Sequence, residues 1–224
     1  MKILIGILAA AVLALPAMAQ KDADSRLKAA TEDLREMMNA SDSGIPQDLI
    51  AKASCVVVVP NLKAGGFIIG GQYGKGFFTC RKTSGVGWGA PGSVRLSGGK
   101  FGLLIGGKET DVIMLIMNKN GMQHLLSTKF QIGGEAAAAA GPVGRDSSAM
   151  TDAALNAEIL TYSRSRGVFG GLDIGGSAVT EDEESNRELY GSKMSNKDIL
   201  NSSPKVPAAA QPLIHELDRI SSRK

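Results

Sequence analysis

The sequence contains few aromatic residues and few residues suited to catalysis or metal binding. Aromatic side chains make up 4% of the 224 residues, whereas glycine occurs 28 times, so the core must be built from aliphatic and small side chains. The two histidines, His124 and His215, are far apart, which is typical of structural histidines. A net charge of +3 also excludes the strongly basic footprint of a dedicated nucleic-acid-binding protein.

Signature motifs of common enzyme classes are missing as well. The sequence has no G-x-S-x-G nucleophile elbow and no complete P-loop. Gly85 to Ala90 matches a dinucleotide fingerprint by letters, but no strand-then-helix pattern surrounds it, so we interpret it as a turn. The Ser- and Asp-rich segment Asp146 to Asp152 is a weak hydrolase candidate. These observations favour a non-enzymatic protein with no cofactor and no metal.

Two cysteines are present, Cys55 and Cys80. They are not a metal pair, because no histidine or further cysteine lies near either of them in the sequence. Each borders an apolar, strand-like run, so both a disulfide and two separate buried thiols are compatible with the sequence. The pair is therefore a disulfide candidate.

Residues 1–19 have the pattern of a secretory signal peptide. Lys2 gives the positive start, Ile3 to Leu15 the apolar region and Ala17 to Ala19 a small-x-small cleavage site. An uncleaved membrane anchor is the alternative, but the apolar stretch is short for a membrane span. No cysteine lies at the cleavage site, so a lipoprotein anchor is excluded. We expect a periplasmic or secreted chain that starts at Gln20 and keeps no transmembrane segment.

Helical patterns lie near both ends of the remaining chain. An amphipathic helix is predicted over residues 22–40, with apolar positions three and four residues apart, and a linker follows to residue 44. Pro46 to Ala53 predicts a short helix. Near the C-terminus, Ser195 to Asp198 resembles a capping box, and a last helix carries one apolar stripe, formed by Leu213, Leu217 and Ile220. We interpret TEDEESN, which lies between the strand-rich middle of the chain and the C-terminal helices, as an acidic loop.

The middle of the chain predicts strands joined by glycine-rich turns. CVVVVP reads as a buried strand that ends at Pro60, and DVIMLIMNKNGMQHLLSTKF as a hairpin turning at Asn120-Gly121. Gly-Gly pairs recur, four of them directly after isoleucine, and glycines within strands mark bulges or bends. The pattern predicts an α+β fold: a strongly curled antiparallel sheet or small barrel, rich in glycine, with N-terminal and C-terminal helices packed on it.

A run of five alanines within GGEAAAAAGPVG is too short for a stable isolated helix. We interpret Glu135 to Ala140 as a strand whose neighbours come too close for larger side chains. A buried helical turn is the alternative.

Basic residues recur at or near the glycine turns. They are Lys63, Lys75, Arg81, Lys82, Arg95, Arg145, Arg164 and Arg166. Grouped on one side of a curled sheet, they would meet anionic lipid headgroups, whereas scattered they would only keep the protein soluble.

Several blocks of sequence resemble the SYLF domain family in the family's order. They include IPQDLIAKASCVVVVPNLKAGGFIIGGQYGKGFF, GWGAPGSVRLSGGKFGLLIGGKETDVIMLIMNKNGMQHLL, AAAGPVGRD, EILTYSRSRGVFGGLDIGG and NRELYG. The resemblance runs from about Ile45 to Leu200, and Tyr162 to Arg164 with Gly167 match the family's YSR-x-x-G segment. Together with the signal-peptide and helix patterns, the resemblance divides the chain into a signal peptide (1–19), an N-terminal amphipathic helix and linker (20–44), a SYLF-like domain (45–200) and a C-terminal linker and short helix (201–224).

The resemblance implies a non-enzymatic, lipid-binding domain. Eukaryotic members bind phosphoinositides with help from an amphipathic N-terminal segment, and some bind actin, whereas secreted bacterial members carry the domain behind a signal sequence. With such a signal sequence, the expected partner of this chain is an anionic phospholipid or membrane surface of the bacterial envelope. The alternative is a structural or protein-interaction domain with an envelope partner, and actin binding is expected only if the protein reaches a host.

Overall fold

A curled β-sheet with helices packed on one of its faces forms the fold. The computed structural model describes residues 5–40, 44–66, 69–101, 106–144, 152–165, 168–171 and 174–221. The helices are α1 (Ile5–Asn39), α2 (Gln47–Lys52), α3 (Lys119–Leu125), α4 (Asp152–Leu155), α5 (Glu183–Tyr190), α6 (Asn196–Ser202) and α7 (Gln211–Ser221), with a 3-10 turn at Ala208–Ala210. The strands are β1 (Cys55–Gly66), β2 (Ile69–Cys80), β3 (Gly92–Phe101), β4 (Gly106–Ile116), β5 (Lys129–Gln131), β6 (Ala138–Ala140), β7 (Ile159–Ser165), β8 (Val168–Gly171) and β9 (Ala178–Glu181).

The strands form one sheet that curls into a half-barrel. Their order is β5-β9-β3-β2-β1-β4-β7-β6, and β8 also pairs with β7. The two edge strands, β5 and β6, follow each other in the sequence and are linked by a bridge between Ile132 and Ala136. The predicted curled, glycine-rich α+β fold is confirmed, with one departure: β6 and β7 pair in parallel, so the sheet is mixed.

The two faces of the sheet bury two separate sets of apolar side chains, because successive residues of a strand point to opposite faces. One set meets the helices and includes Val58, Phe77 and Ile113. The other lines the concave interior of the half-barrel and includes Val57 and Phe78. The predicted stripe of α1 lies on the first face, where Leu27, Ala30, Leu34 and Met37 are all buried.

Strand β1 continues past Pro60, where the sequence predicted its end. Its register with β2 and β4 shifts between Val58 and Lys63, and Asn61 takes a positive φ of 50°. A β-bulge at this point tolerates the missing N–H of proline, because bulged residues leave the ladder of hydrogen bonds. The bulge therefore lets β1 continue past Pro60 and changes which face the side chains of its second half occupy.

The predicted hairpin at Asn120-Gly121 is wrong. Asn118 caps the N-terminus of α3, its side-chain oxygen accepting a hydrogen bond from the Gly121 N–H at 2.9 Å. Asn118, two residues before Asn120, is a favourable helix cap, so Asn120 and Gly121 lie within α3 and do not form the predicted turn. The chain reaches β5 through this helix, and β5 pairs with β9 and not with β4.

The alanine run is a strand over Ala138–Ala140, as predicted, while Gly133 to Glu135 form the turn before it. It packs closely against its neighbour: a Cβ on Gly141 would overlap the ring of Tyr162 on β7. The small side chains therefore let β6 and the following turn lie against β7.

The interpretation of TEDEESN as an acidic loop is wrong. Its first residues belong to β9, and α5 begins at Glu183 with Asp182 as the N-cap, whose side chain accepts a bond from the Ser185 N–H. Acidic residues in a first helical turn are favoured by the helix dipole. The predicted short helix before β1, the capping box at Ser195 and the last helix are all present.

Candidate functional site

Three of the predicted basic residues lie together on one face of the sheet. Lys63 of β1 is directly opposite Tyr73 of β2, and Lys75 of β2 is directly opposite Arg95 of β3. Directly opposite residues of antiparallel strands share a face, and so do residues two apart on one strand. We call Lys63, Tyr73, Lys75 and Arg95 the polar end face, since they continue the helix-bearing face of the sheet beyond its apolar rows.

A buried carboxylate ties two members of the polar end face together. Asp182 is fully buried and lies 3.2 Å from the Lys75 ammonium and 3.6 Å from the Arg95 guanidinium. Burial by itself would raise the pKa of Asp182. The hydrogen bond from the Ser185 hydroxyl and the charges of Lys75 and Arg95 outweigh burial and hold that pKa below its usual value. Asp182 therefore stays ionised and fixes the direction of both bases.

Exposure differs strongly among the members of the polar end face. The side chain of Lys63 is 75% exposed, with Glu109 at 3.9 Å, whereas Lys75 and Arg95 are 23% and 40% exposed. Tyr73 is 49% exposed, although aromatic side chains are rare in this chain. The outer part of the face thus offers one loosely paired ammonium group beside one exposed aromatic ring.

Arg164 has a different environment, beneath α1. Its guanidinium contacts Asp33 at 2.6 Å, Asp111 at 2.7 Å and also Glu36 of α1. Burial raises the pKa of Asp33 to about 7 and the Asp111 carboxylate adds to this rise, while Arg164 opposes it. Burial likewise raises the pKa of Asp111. The cluster joins α1 to β4 and β7.

Arg81 and Lys82 follow the C-terminal end of β2, away from the polar end face. Seven residues of extended strand separate Tyr73 from Cys80, which corresponds to about 23 Å. The Arg81 guanidinium stacks 4.2 Å from the Trp88 ring and donates hydrogen bonds to carbonyl groups of Ile50 and its neighbours at the end of α2. Lys82 is exposed.

The structure therefore brings Lys63, Lys75 and Arg95 together and places Arg81, Lys82 and Arg164 elsewhere. Arg145 and Arg166 lie outside the described residues. Whether any of the eight binds lipid stays a prediction.

Sequence reasoning missed Tyr73, Asp182, Asp33 and Asp111 as parts of these clusters. Tyr73 could have been found, since it lies at even spacing from Lys75 in a strand-like run. Asp33 and Asp111 could not, because only the tertiary fold brings a helix carboxylate next to a strand carboxylate.

Cys55 and Cys80 occupy directly opposite positions of β1 and β2. The structure joins them by a disulfide that is buried within the half-barrel. The disulfide therefore links two central strands of the sheet, β1 and β2.

The residues that the structure describes contain neither a metal-binding cluster nor a membrane-spanning helix. Within them, no group of three or more His, Cys, Asp or Glu side chains is placed to hold a metal ion. No helix among the described residues combines the length and apolar character needed to cross a membrane.

Fold and site together define an α+β domain with a curled sheet, a helix-covered face and a charged end. The family described as Ysc84, "Las17-binding protein actin regulator", matches residues 97–220. The chain belongs to the Ysc84 family, which confirms the resemblance to SYLF domains. That description names binding and regulation and no reaction.

Relatives with this domain come from fungi and animals. The chain is 31% identical over 202 residues to Protein YSC84 of Saccharomyces cerevisiae, covering 87% of this chain and 43% of that protein. It is 31% identical over 181 residues to LAS seventeen-binding protein 3 of the same species, covering 80% and 39%. It is 30% identical over 205 residues to the Homo sapiens SH3 domain-containing YSC84-like protein 1, covering 89% and 59%. The chain thus spans roughly two fifths to three fifths of these relatives.

Proposed function

We propose that this chain is a non-enzymatic binding module that recognises anionic phospholipid headgroups through the polar end face. The observation that carries the proposal is the register of three central strands, which sets Lys63, Tyr73, Lys75 and Arg95 on one face. Basic side chains near a charged membrane surface contribute about 1 kcal/mol each, and the amphipathic ring of tyrosine suits the level of the headgroups.

The surroundings of Tyr73 support contact with a flat surface. Gly71 lies two residues before it on the same face, opposite Gly65 of β1 and Gly99 of β3. Glycine carries no side chain, so these positions leave the tyrosine ring standing above its neighbours. Lys63 beside it keeps its charge available, because its contact with Glu109 is long and both side chains are well exposed.

Co-sedimentation with vesicles tests the proposal. The chain beginning at Gln20 is mixed with neutral and with anionic phospholipid vesicles, at low and at high salt. We expect binding to anionic vesicles only, and its loss at high salt because counter-ions screen exposed charges. Lys63→Glu should weaken this binding at least five-fold, since it removes one attraction and adds one repulsion, and Tyr73→Ser should weaken it further.

Lys119→Glu is the matched control. It makes the same charge change on an exposed lysine of α3, beyond the far end of β4 from Lys63. Equal losses for Lys63→Glu and Lys119→Glu would mean that only net charge matters. Unchanged binding by Lys63→Glu and Tyr73→Ser would remove the polar end face from the site.

A second candidate function is protein binding, and the names of the family and its relatives favour it. The family description names Las17 and actin regulation, and LAS seventeen-binding protein 3 carries its partner in its name. The experiment is a binding assay with purified Las17 and, separately, with purified actin. Binding to either protein together with no sedimentation on vesicles would favour this function over lipid recognition.

We propose in addition that the chain is exported and cleaved after Ala19, which would place its function in the bacterial periplasm or outside the cell. Cleavage there would leave the buried stripe of α1 from Ala23 to Met37 in the mature chain. The domain boundaries at residues 19, 44 and 200 are part of the same proposal. Mass spectrometry of protein recovered from the medium or periplasm should give a chain that starts at Gln20, and an intact Met1 would contradict export by this route.

A further inference from the structure

A charged groove of about 380 Å³ lies next to the polar end face. It is bordered by β3, β9, α5 and the segment that follows α5. Six charged residues line it: Arg95, Glu181, Glu183, Glu184, Arg187 and Lys193. A groove of this size is at the small end of ligand pockets and suits a small headgroup or metabolite better than a polymer.

The three acids of the groove already have partners. Glu183 lies 2.9 Å from the Lys193 ammonium, and Glu184 lies 3.6 Å from that of Lys75. Glu181 accepts a hydrogen bond from the backbone N–H of Asn196. Each acid therefore has one partner, which holds it in place at the edge of the groove.

The two arginines of the groove are less well satisfied. The Nε of Arg95 is buried without a hydrogen-bond partner, and its terminal nitrogen makes only long contacts, 3.5 Å to the Glu181 carbonyl and 3.6 Å to Asp182. Within the part of the chain that the structure describes, no hydrogen bond or ion pair engages the guanidinium of Arg187. Guanidinium groups bind phosphate oxygens in a fork of parallel N–H bonds, so the unused donors point to an oxyanion.

We propose that this groove binds a single phosphate group between Arg95 and Arg187, and that it favours a phosphate whose substituent is neutral or cationic. The acids supply the preference: Glu183 and Glu184 at the rim would repel a second phosphate but accept an ammonium group. A phosphate ester of an amino alcohol meets both conditions, whether free in solution or as a lipid headgroup. The inference extends the proposed function through the shared Arg95, but binding of a soluble phosphate ester does not depend on a membrane.

Arginine side-chain NMR on the full chain tests the groove directly. The ¹⁵N-labelled protein is titrated with sodium phosphate, with O-phosphoethanolamine and with a sugar bisphosphate, at constant ionic strength set by chloride. We expect saturable shifts of the Arg95 and Arg187 Nε–Hε signals, with O-phosphoethanolamine bound at least three-fold more tightly than the bisphosphate. Anionic vesicles with and without phosphatidylethanolamine are then added: Arg187 shifts that require phosphatidylethanolamine indicate a lipid-borne phosphate, and shifts with O-phosphoethanolamine alone indicate a free one.

Arg187→Gln should weaken binding at least five-fold without loss of folding, because Arg187 is exposed. Arg35→Gln is the matched control, an arginine about half exposed at the contact of α1 with α7. Tighter binding of the bisphosphate, absence of saturation, or equal effects of the two substitutions would overturn the inference. Since soluble ligands are used, loss of vesicle binding in Lys63→Glu with the groove intact would separate the two proposals.

Discussion

Replacement of Asp33 by asparagine should make the stability of the fold less dependent on pH. Asp33 of α1 and Asp111 of β4 contact the same guanidinium of Arg164, and the Asp33 side chain is only 6% exposed. Burial, helped by Asp111, raises the pKa of Asp33 from 3.8 to about 7 despite the attraction of Arg164. Two carboxylates that share one site cannot both ionise easily, so Asp33 keeps its proton to a higher pH.

The sign and size of the effect follow from this pKa. In the unfolded chain Asp33 is ionised above pH 4, whereas in the folded protein it keeps its proton up to about pH 7. The folded state therefore binds more protons in this window, and stability falls as pH rises. Between pH 5.5 and pH 8.5, stability falls mainly over the roughly 1.5 pH units that lie below the folded pKa of about 7. This fall corresponds to about 2 kcal/mol of unfolding free energy.

Urea unfolding, followed by the fluorescence of the single, fully buried Trp88, measures this difference. Asp33→Asn keeps the shape and mimics the protonated acid, so its stability relative to the wild type should rise by about 2 kcal/mol between pH 5.5 and pH 8.5. Asp22→Asn, an exposed position on the same helix, is the control and should leave the pH dependence unchanged. If Asp33→Asn is instead destabilised equally at both pH values, Asp33 is ionised throughout and Arg164 outweighs burial.

Two further substitutions test the packing of the sheet. Gly141→Ala should cost roughly 1–3 kcal/mol of stability, because the added Cβ would overlap the buried Tyr162 ring. Gly99 has open space around it, so Gly99→Ala should change stability by less than about 0.5 kcal/mol. Equal costs of the two substitutions in urea unfolding would contradict the close approach of Gly141 to Tyr162. Replacing Cys55 and Cys80 together by serine should cost about 3.5 kcal/mol of stability, the closure entropy of a 25-residue loop. Reduction of the native chain should add the mass of two hydrogens. An unchanged mass would show that the two thiols are free.

Local patterns in the sequence were sufficient for most of the secondary structure and for the fold class. The stripe of α1, the capping box at Ser195 and the strand at Ala138–Ala140 all follow from spacing and side-chain size. Errors arose where two local signals competed. Asn118 offers a helix cap two residues before the Asn-Gly turn signal, and the cap is the one that the fold uses.

The grouping of the basic residues could be predicted only in part. Lys63, Lys75 and Arg95 lie on neighbouring strands, but their common face depends on a bulge at Asn61 that shifts the register of β1. Arg164 has the same local character as they do, yet α1 covers it and supplies Asp33. No pattern along the chain distinguishes a base that faces solvent from one that meets a helix more than a hundred residues away.

The position of α7 has a consequence for how the chain folds. The indole N–H of Trp88 donates a hydrogen bond to the Ser221 hydroxyl, 133 residues later, and Val94 of β3 pairs with Glu181 of β9. Such contacts give the fold a high contact order, which slows folding because long loops must close before these pairings form. The helix-bearing face of the sheet therefore cannot complete its burial until α7 packs on it.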